Sequence, residues 1–156
     1  MRGNLKPGKL LNEKGHLIQS GWSTELVKDY SRKDITASKW RIKEWDYYII
    51  TNGEIAVALT FAENSYMSLA SASFLDFTKP SYKTTSEIKF FTFGKNIMPN
   101  STENGNIIYK SKRVSMSFIK DNESRKLQCS FDNFDKVNGK NIALKVNVSL
   151  TDFPKD

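Results

Sequence analysis

Glu44 and Asp46 stand two residues apart in Lys43-Glu44-Trp45-Asp46-Tyr47-Tyr48, a run that sets two carboxylates among three aromatic rings. In an extended chain alternate residues share a face, so both acids point the same way. A carboxyl group held in apolar surroundings has its pKa raised and can act as a general acid near neutral pH. Such a group could protonate an alkene or polarise a hydroxyl in a greasy pocket. Asp46, and after it Glu44, is the candidate catalytic residue. The competing reading is a structural ion pair with Arg41, Lys43, Arg32 or another basic residue, because buried carboxylates are usually paired. Trp45, Tyr47 and Tyr48, with Leu59 and Phe61 from the following strand, are the candidate ligand contacts. Trp22 and Trp40 could extend that aromatic wall towards a flat or polyene molecule, or could pin the N-terminal segment.

Other chemistries find little support. His16 is the only histidine and Cys129 the only cysteine, so no zinc set exists and no metal or cofactor is expected. A Ser-His-Asp triad would have to use His16, and no nucleophile elbow accompanies it. The glycines are scattered, without a phosphate-binding loop. The net charge of +7 is spread along the chain, whereas nucleic-acid binding favours a focused stripe. Lys110, Lys112 and Arg113 are the nearest thing to a cluster and read as a solvated strand entry. The first residues hold no apolar run, and no segment has the length of a membrane span. With one cysteine, the expected compartment is the cytosol. Sequons at Asn100, Asn122 and Asn147 are then chance matches.

The elements that position these residues are strands. The only helical candidate is Ser23–Tyr30, with Ser23 as N-cap. From Arg41 onward the chain alternates with period two or forms short apolar runs between turn signals, and 12% of its residues are aromatic. Asn52-Gly53 as a two-residue turn sets Asp46 opposite Leu59 and puts Glu44, Asp46, Tyr48, Ile50, Ile55, Val57, Leu59 and Phe61 on one face. Asp121–Ser124 as a loop sets Phe118 opposite Leu127 and Met116 opposite Cys129. Asn138-Gly139 as a turn sets Val146 opposite Phe131 and Val148 opposite Cys129. Both hairpins give the same apolar face, including Val114, Phe118, Leu127, Cys129, Phe131, Val146 and Leu150. Cys129 is thus a packing residue rather than a nucleophile. Ser68, Ala70, Ser71, Ala72 and Ser73 make one strand unusually small. They either leave interior volume for a ligand or allow close packing of a neighbouring element.

Leu10-Leu11-Asn12-Glu13-Lys14-Gly15, Gly21-Trp22-Ser23, Tyr30-Ser31-Arg32 and Arg41–Tyr48 occur in the order found in a known family. Through these residues, and more loosely from Pro7 to Leu150, the chain resembles the bacterial domain of unknown function 2804 family. The resemblance implies a distant similarity to lipocalin-like proteins that include carotenoid hydratases. These have two β-barrel-like halves with an apolar site between or within them. It also implies family chains about twice as long as this one. The expectation is an all-β, antiparallel lipocalin-like barrel or half-barrel with an extended N-terminal segment. Residues 1–156 would form a single domain, the first half of a two-lobed architecture. The expected role is binding an apolar or amphipathic small molecule, with no nucleic acid. A homodimer would form, or the missing half would cover the exposed surface. The alternatives are a cofactor-free hydratase, isomerase or cyclase on a terpenoid-like substrate, and a structural or interaction domain without ligand.

Overall fold

The computed structural model describes residues 3–94, 96, 98–103, 105–121 and 124–151, so the Asn122 sequon and the last five residues lie outside the described residues. The chain divides into two compact units, Met1–Ile42 and Lys43–Asp156. In the first unit β1 (Gly3–Asn4) pairs in parallel with β3 (Gly21–Trp22), and β2 (Gly8–Lys9) pairs in parallel with β4 (Lys28–Asp29). Between them Leu11 bridges Leu17 around a turn in which Asn12 Oδ1 accepts hydrogen bonds from the N–H groups of Lys14 and His16. Gly15 closes that turn at φ +74°, and a Cβ there would collide with the Thr36 side chain. The helix expected over Ser23–Tyr30 does not form. Ser23 Oγ accepts from Glu25 N–H and closes a local turn, and Lys28–Asp29 then joins its strand partner.

The second unit begins with four antiparallel strands in sequence order: β5 (Glu44–Thr51), β6 (Ile55–Glu63), β7 (Met67–Asp76) and β8 (Ser81–Phe90). The first connection differs from the expected two-residue turn, because Thr51 pairs with Ala56 rather than Glu54. A two-residue type I′ turn needs positive φ at both central residues. Gly53 has φ +95°, but Asn52 is not left-handed. Instead Asn52 Oδ1 accepts from the N–H groups of Glu54 (3.0 Å) and Ile55 (2.9 Å), an Asx turn that lengthens the loop. The resulting slip is two residues, an even number, so every side chain keeps its expected face. Asp46 now faces Phe61, and Tyr48 faces Leu59.

β9 (Ile107–Lys110), β10 (Val114–Lys120), β11 (Ser124–Val137) and β12 (Lys140–Thr151) form the second antiparallel sheet. β10 and β11 pair as the sequence predicts, with Phe118 opposite Leu127, Met116 opposite Cys129 and Val114 opposite Phe131. Asn138 and Gly139 have φ +49° and +78°, a true two-residue turn that sets Val137 opposite Lys140. Beyond it the register departs from expectation. A bulge between Phe131 and Asp135 puts Phe131 opposite Leu144 rather than Val146, and Cys129 opposite Val146 rather than Val148. Phe131 and Phe134, three apart, would face opposite ways in a regular strand. The bulge turns both inward, to 2% and 6% exposure.

The two sheets share one apolar core. Leu59, Phe61, Ala70 and Ala72 from the first meet Met116, Phe118, Leu127, Cys129 and Phe131 from the second. Burial pushes the Cys129 thiol up to about 12. β11 passes over the first sheet from edge to edge. Its Arg125 reaches Asp46 on β5, and the carbonyl of its Phe134 accepts a hydrogen bond from Thr85 on β8. The all-β expectation holds, with antiparallel four-stranded sheets in the second unit and short parallel pairs in the first. A closed barrel does not appear among the described residues: β5, β8, β9 and β12 each end a sheet.

Candidate functional site

β5 is the element on which the sequence places the chemistry, and its alternation divides the candidates. Glu44, Asp46 and Tyr48 point inward; Trp45, Tyr47 and Ile49 point outward and are exposed by 63%, 54% and 54%. Leu59 and Phe61 are packed in the core at 0% and 2%. The five candidate ligand contacts therefore do not form one wall. Trp45 and Tyr47 lie on one face of the sheet, and Tyr48, Leu59 and Phe61 lie on the other.

On the inner face Asp46 meets Arg125. Oδ2 of Asp46 accepts from Nη2 at 3.3 Å, and both side chains are largely buried. Arg125 also donates through Nη1 to the carbonyls of Thr102 (2.6 Å) and Gly105 (3.3 Å). Its guanidinium stands 5.5 Å from the centre of the Tyr48 ring, which packs edge-on against Phe118 at 5.0 Å. Burial raises the Asp46 carboxyl above its ordinary value of 3.8, against the opposing pull of Arg125. Burial and the neighbouring Asp46 charge raise the Tyr48 phenol too, against the opposing pull of Arg125 beside it. Asp46 thus combines features of both sequence readings: it has a basic partner, and it still titrates high.

Glu44 is buried and lies opposite Glu63 across the β5–β6 ladder. Glu63 is fully buried. Its Oε1 accepts from Ser65 N–H (3.0 Å) and Thr92 Oγ1 (2.8 Å), and its Oε2 accepts from Asn96 Nδ2 (3.0 Å). The carboxylate ties the β6–β7 turn to the segment after β8. A further polar contact joins the sheets where Tyr109 donates to Glu87 at 2.6 Å. Burial pushes the Glu87 carboxyl up, but bonds from Tyr109 and Ser111 and the charges of Lys89 and Arg113 outweigh it and leave it lowered.

Sequence reasoning missed Arg125 and Glu63, and a signal existed for both. Arg125 has the same parity as Leu127 and Cys129, and Glu63 has the same parity as Phe61. Each was a charge on an apolar face, where it needs a partner.

The family model described as Domain of unknown function (DUF2804) matches residues 3–156. The chain belongs to that family. No curated protein and no solved structure matches it. For this DUF2804 member, the described residues hold no group of three or more His, Cys, Asp or Glu side chains suited to a metal ion. No helix among them is long and apolar enough to cross a membrane. The N-terminal unit adds an open groove of about 740 Å³ bordered by Lys9, Lys14, Lys33, Asp34 and Thr36.

Proposed function

We propose that the chain binds an apolar or amphipathic small molecule along the outer stripe of β5. The observation that carries this reading is the exposure of Trp45, Tyr47 and Ile49 on one edge strand. Residues at i, i+2 and i+4 stand in a row roughly 13 Å long. That length suits an acyl or polyene chain laid against two rings and an aliphatic side chain. The outer face of the second sheet is different in kind, with Ser115, Ser117, Gln128, Ser130, Asn147 and Ser149 along it. Large exposed apolar patches mark interaction sites on monomeric proteins. A lipocalin-like arrangement of a longer family chain, and residence in the cytosol, remain part of this proposal.

The test uses a variant with Trp22→Phe and Trp40→Phe, which leaves Trp45 as the only indole. Titration with anilinonaphthalene sulfonate or an unsaturated fatty acid should quench Trp45, and Trp45→Ser with Tyr47→Ser should weaken binding by about tenfold or more. Unchanged Trp45 emission at saturating probe would sink the reading.

A second reading, acid catalysis by Asp46 in a hydratase, isomerase or cyclase, draws support from the buried, raised carboxyl two residues from the inward-facing Tyr48 phenol. Turnover of an isoprenoid alkene that survives Asp46→Asn would rule it out.

A further inference from the structure

Phe90, Phe91 and Phe93 are exposed by 65%, 72% and 59%, and their rings form a ladder. Ring centres lie 6.5 Å apart for Phe90 and Phe91, and 6.1 Å apart, stacked, for Phe91 and Phe93. Nothing in ordinary folding favours this display, since three phenylalanines together are a strong drive to burial. The backbone makes it harder still. Phe91 and Phe93 have φ +58° and +52°, a left-handed conformation that bulky residues rarely adopt. Left-handed Phe91 breaks the strand alternation, so Phe90 and Phe91, neighbours in sequence, both face solvent.

The strain persists because buried groups hold it. Thr92 turns inward between the two left-handed residues and donates to the fully buried Glu63 carboxylate, which Asn96 also binds. Phe91 N–H donates to the Tyr66 carbonyl at 2.7 Å. A fixed, strained loop that presents apolar rings is a common form of a binding element.

The charge beside the rings indicates what they meet. Lys89 precedes Phe90, and its Nζ donates to the carbonyl of Lys110 at 3.2 Å, so the β9–β10 turn lies alongside. That turn reads Lys110-Ser111-Lys112-Arg113, and its three cations are exposed. The nearby acids are Glu87, which accepts from Tyr109 and feels the charges of Lys89 and Arg113, and Asp132, whose N–H bonds the Arg113 carbonyl; Lys110 and Lys112 add cations beyond these. We propose that the Phe90–Phe93 loop, with Lys110, Lys112 and Arg113, docks the protein on an anionic lipid surface. The phenylalanines would enter the headgroup boundary, and the cations would lie over the phosphates. Exposed phenylalanines beside a cluster of Lys and Arg are the pairing by which peripheral proteins hold an anionic bilayer. This corner sits at the β8 edge of the first sheet, the edge opposite the β5 stripe, and does not depend on the ligand reading.

Sedimentation with vesicles tests it. The full chain should pellet with phosphatidylcholine vesicles that contain phosphatidylserine, pellet poorly with phosphatidylcholine alone, and be released as salt is raised. Phe91→Ser with Phe93→Ser should weaken binding by about tenfold or more, and Lys112→Glu with Arg113→Glu should weaken it only on the anionic vesicles. A wild-type chain that stays in the supernatant with phosphatidylserine vesicles overturns the proposal, including in favour of a protein partner. So does a folded serine variant that binds as well as wild type. Phe91→Trp covers the case in which the serine variants fail to fold. Its emission should shift to the blue on phosphatidylserine vesicles beyond any change in the native tryptophans, and an unshifted spectrum counts against membrane docking.

Discussion

Removing Arg125 and removing the charge of Asp46 are unequal perturbations. Arg125 holds two backbone carbonyls as well as the carboxylate, and its loss strips all three acceptors of their donor and the buried Asp46 carboxyl of its counter-charge. Arg125→Met should therefore destabilise the fold by about 3–5 kcal/mol, read from urea unfolding at neutral pH. Asp46→Asn keeps an oxygen acceptor for Arg125 but leaves the buried guanidinium without its counter-charge, and should cost about 1–3 kcal/mol. The cost is the smaller of the two because an amide is spared the burial penalty that raises the carboxyl against the pull of Arg125. The pH dependence has a definite sign. A carboxyl raised above 3.8 in the folded state gives stability that is fully present below 3.8 and is lost as pH rises through the raised value. Relative to D46N, the wild-type chain should lose stability on going from acid to neutral pH. An unchanged difference across that range would mean that Asp46 ionises as freely in the fold as in the unfolded chain.

Among the elements, β11 has the most distinctive irregularity. Its bulge lets Phe131 and Phe134 enter the core together, and the Phe134 carbonyl receives the hydroxyl of Thr85. Deleting Asp132 and Asn133 would restore a uniform ladder and place Phe134 directly after Phe131, on the solvent face. The expected loss is about 3–5 kcal/mol, close to that of Phe134→Ala, because each removes the same ring from the core. A deletion variant as stable as wild type would show that the ring contributes little. The two Asn-Gly dipeptides illustrate the limit of local reading. Asn138-Gly139 makes the tight turn that its sequence predicts. At Asn52-Gly53 the Asn side chain caps the following amides, while the Glu54 carbonyl is taken by Phe77 N–H at the end of β7. The third strand thus fixes a register that two strands alone would set differently.

At the scale of the whole molecule the sheets carry unlike outer faces. Both outer strands of the first sheet present large apolar groups: Trp45, Tyr47 and Ile49 on β5, and Tyr82, Ile88 and Phe90 on β8. Such a face should drive association. In sedimentation velocity the apparent mass should rise with protein concentration, and Tyr82→Ser with Ile88→Ser should return it towards the monomer. A wild-type chain that remains monomeric at high concentration would show that exposure alone does not make this face adhesive.

The alternation of the sequence was enough to fix the all-β class, the inner and outer faces of β5, β6, β10, β12 and of β11 as far as Phe131, and the burial of Cys129. Faces depend only on parity, and both departures from the expected register were even, at Asn52-Gly53 and at the β11 bulge. What stood opposite what was another matter, because strand register answers to loop hydrogen bonds and to a third strand. The pairing of Asp46 with Arg125 joins residues 79 apart on different sheets, and no spacing rule reaches across that gap. The left-handed Phe91 and Phe93 were equally hidden. No local preference favours that backbone in phenylalanine, and only the buried anchor at Glu63, made by tertiary packing, keeps it there.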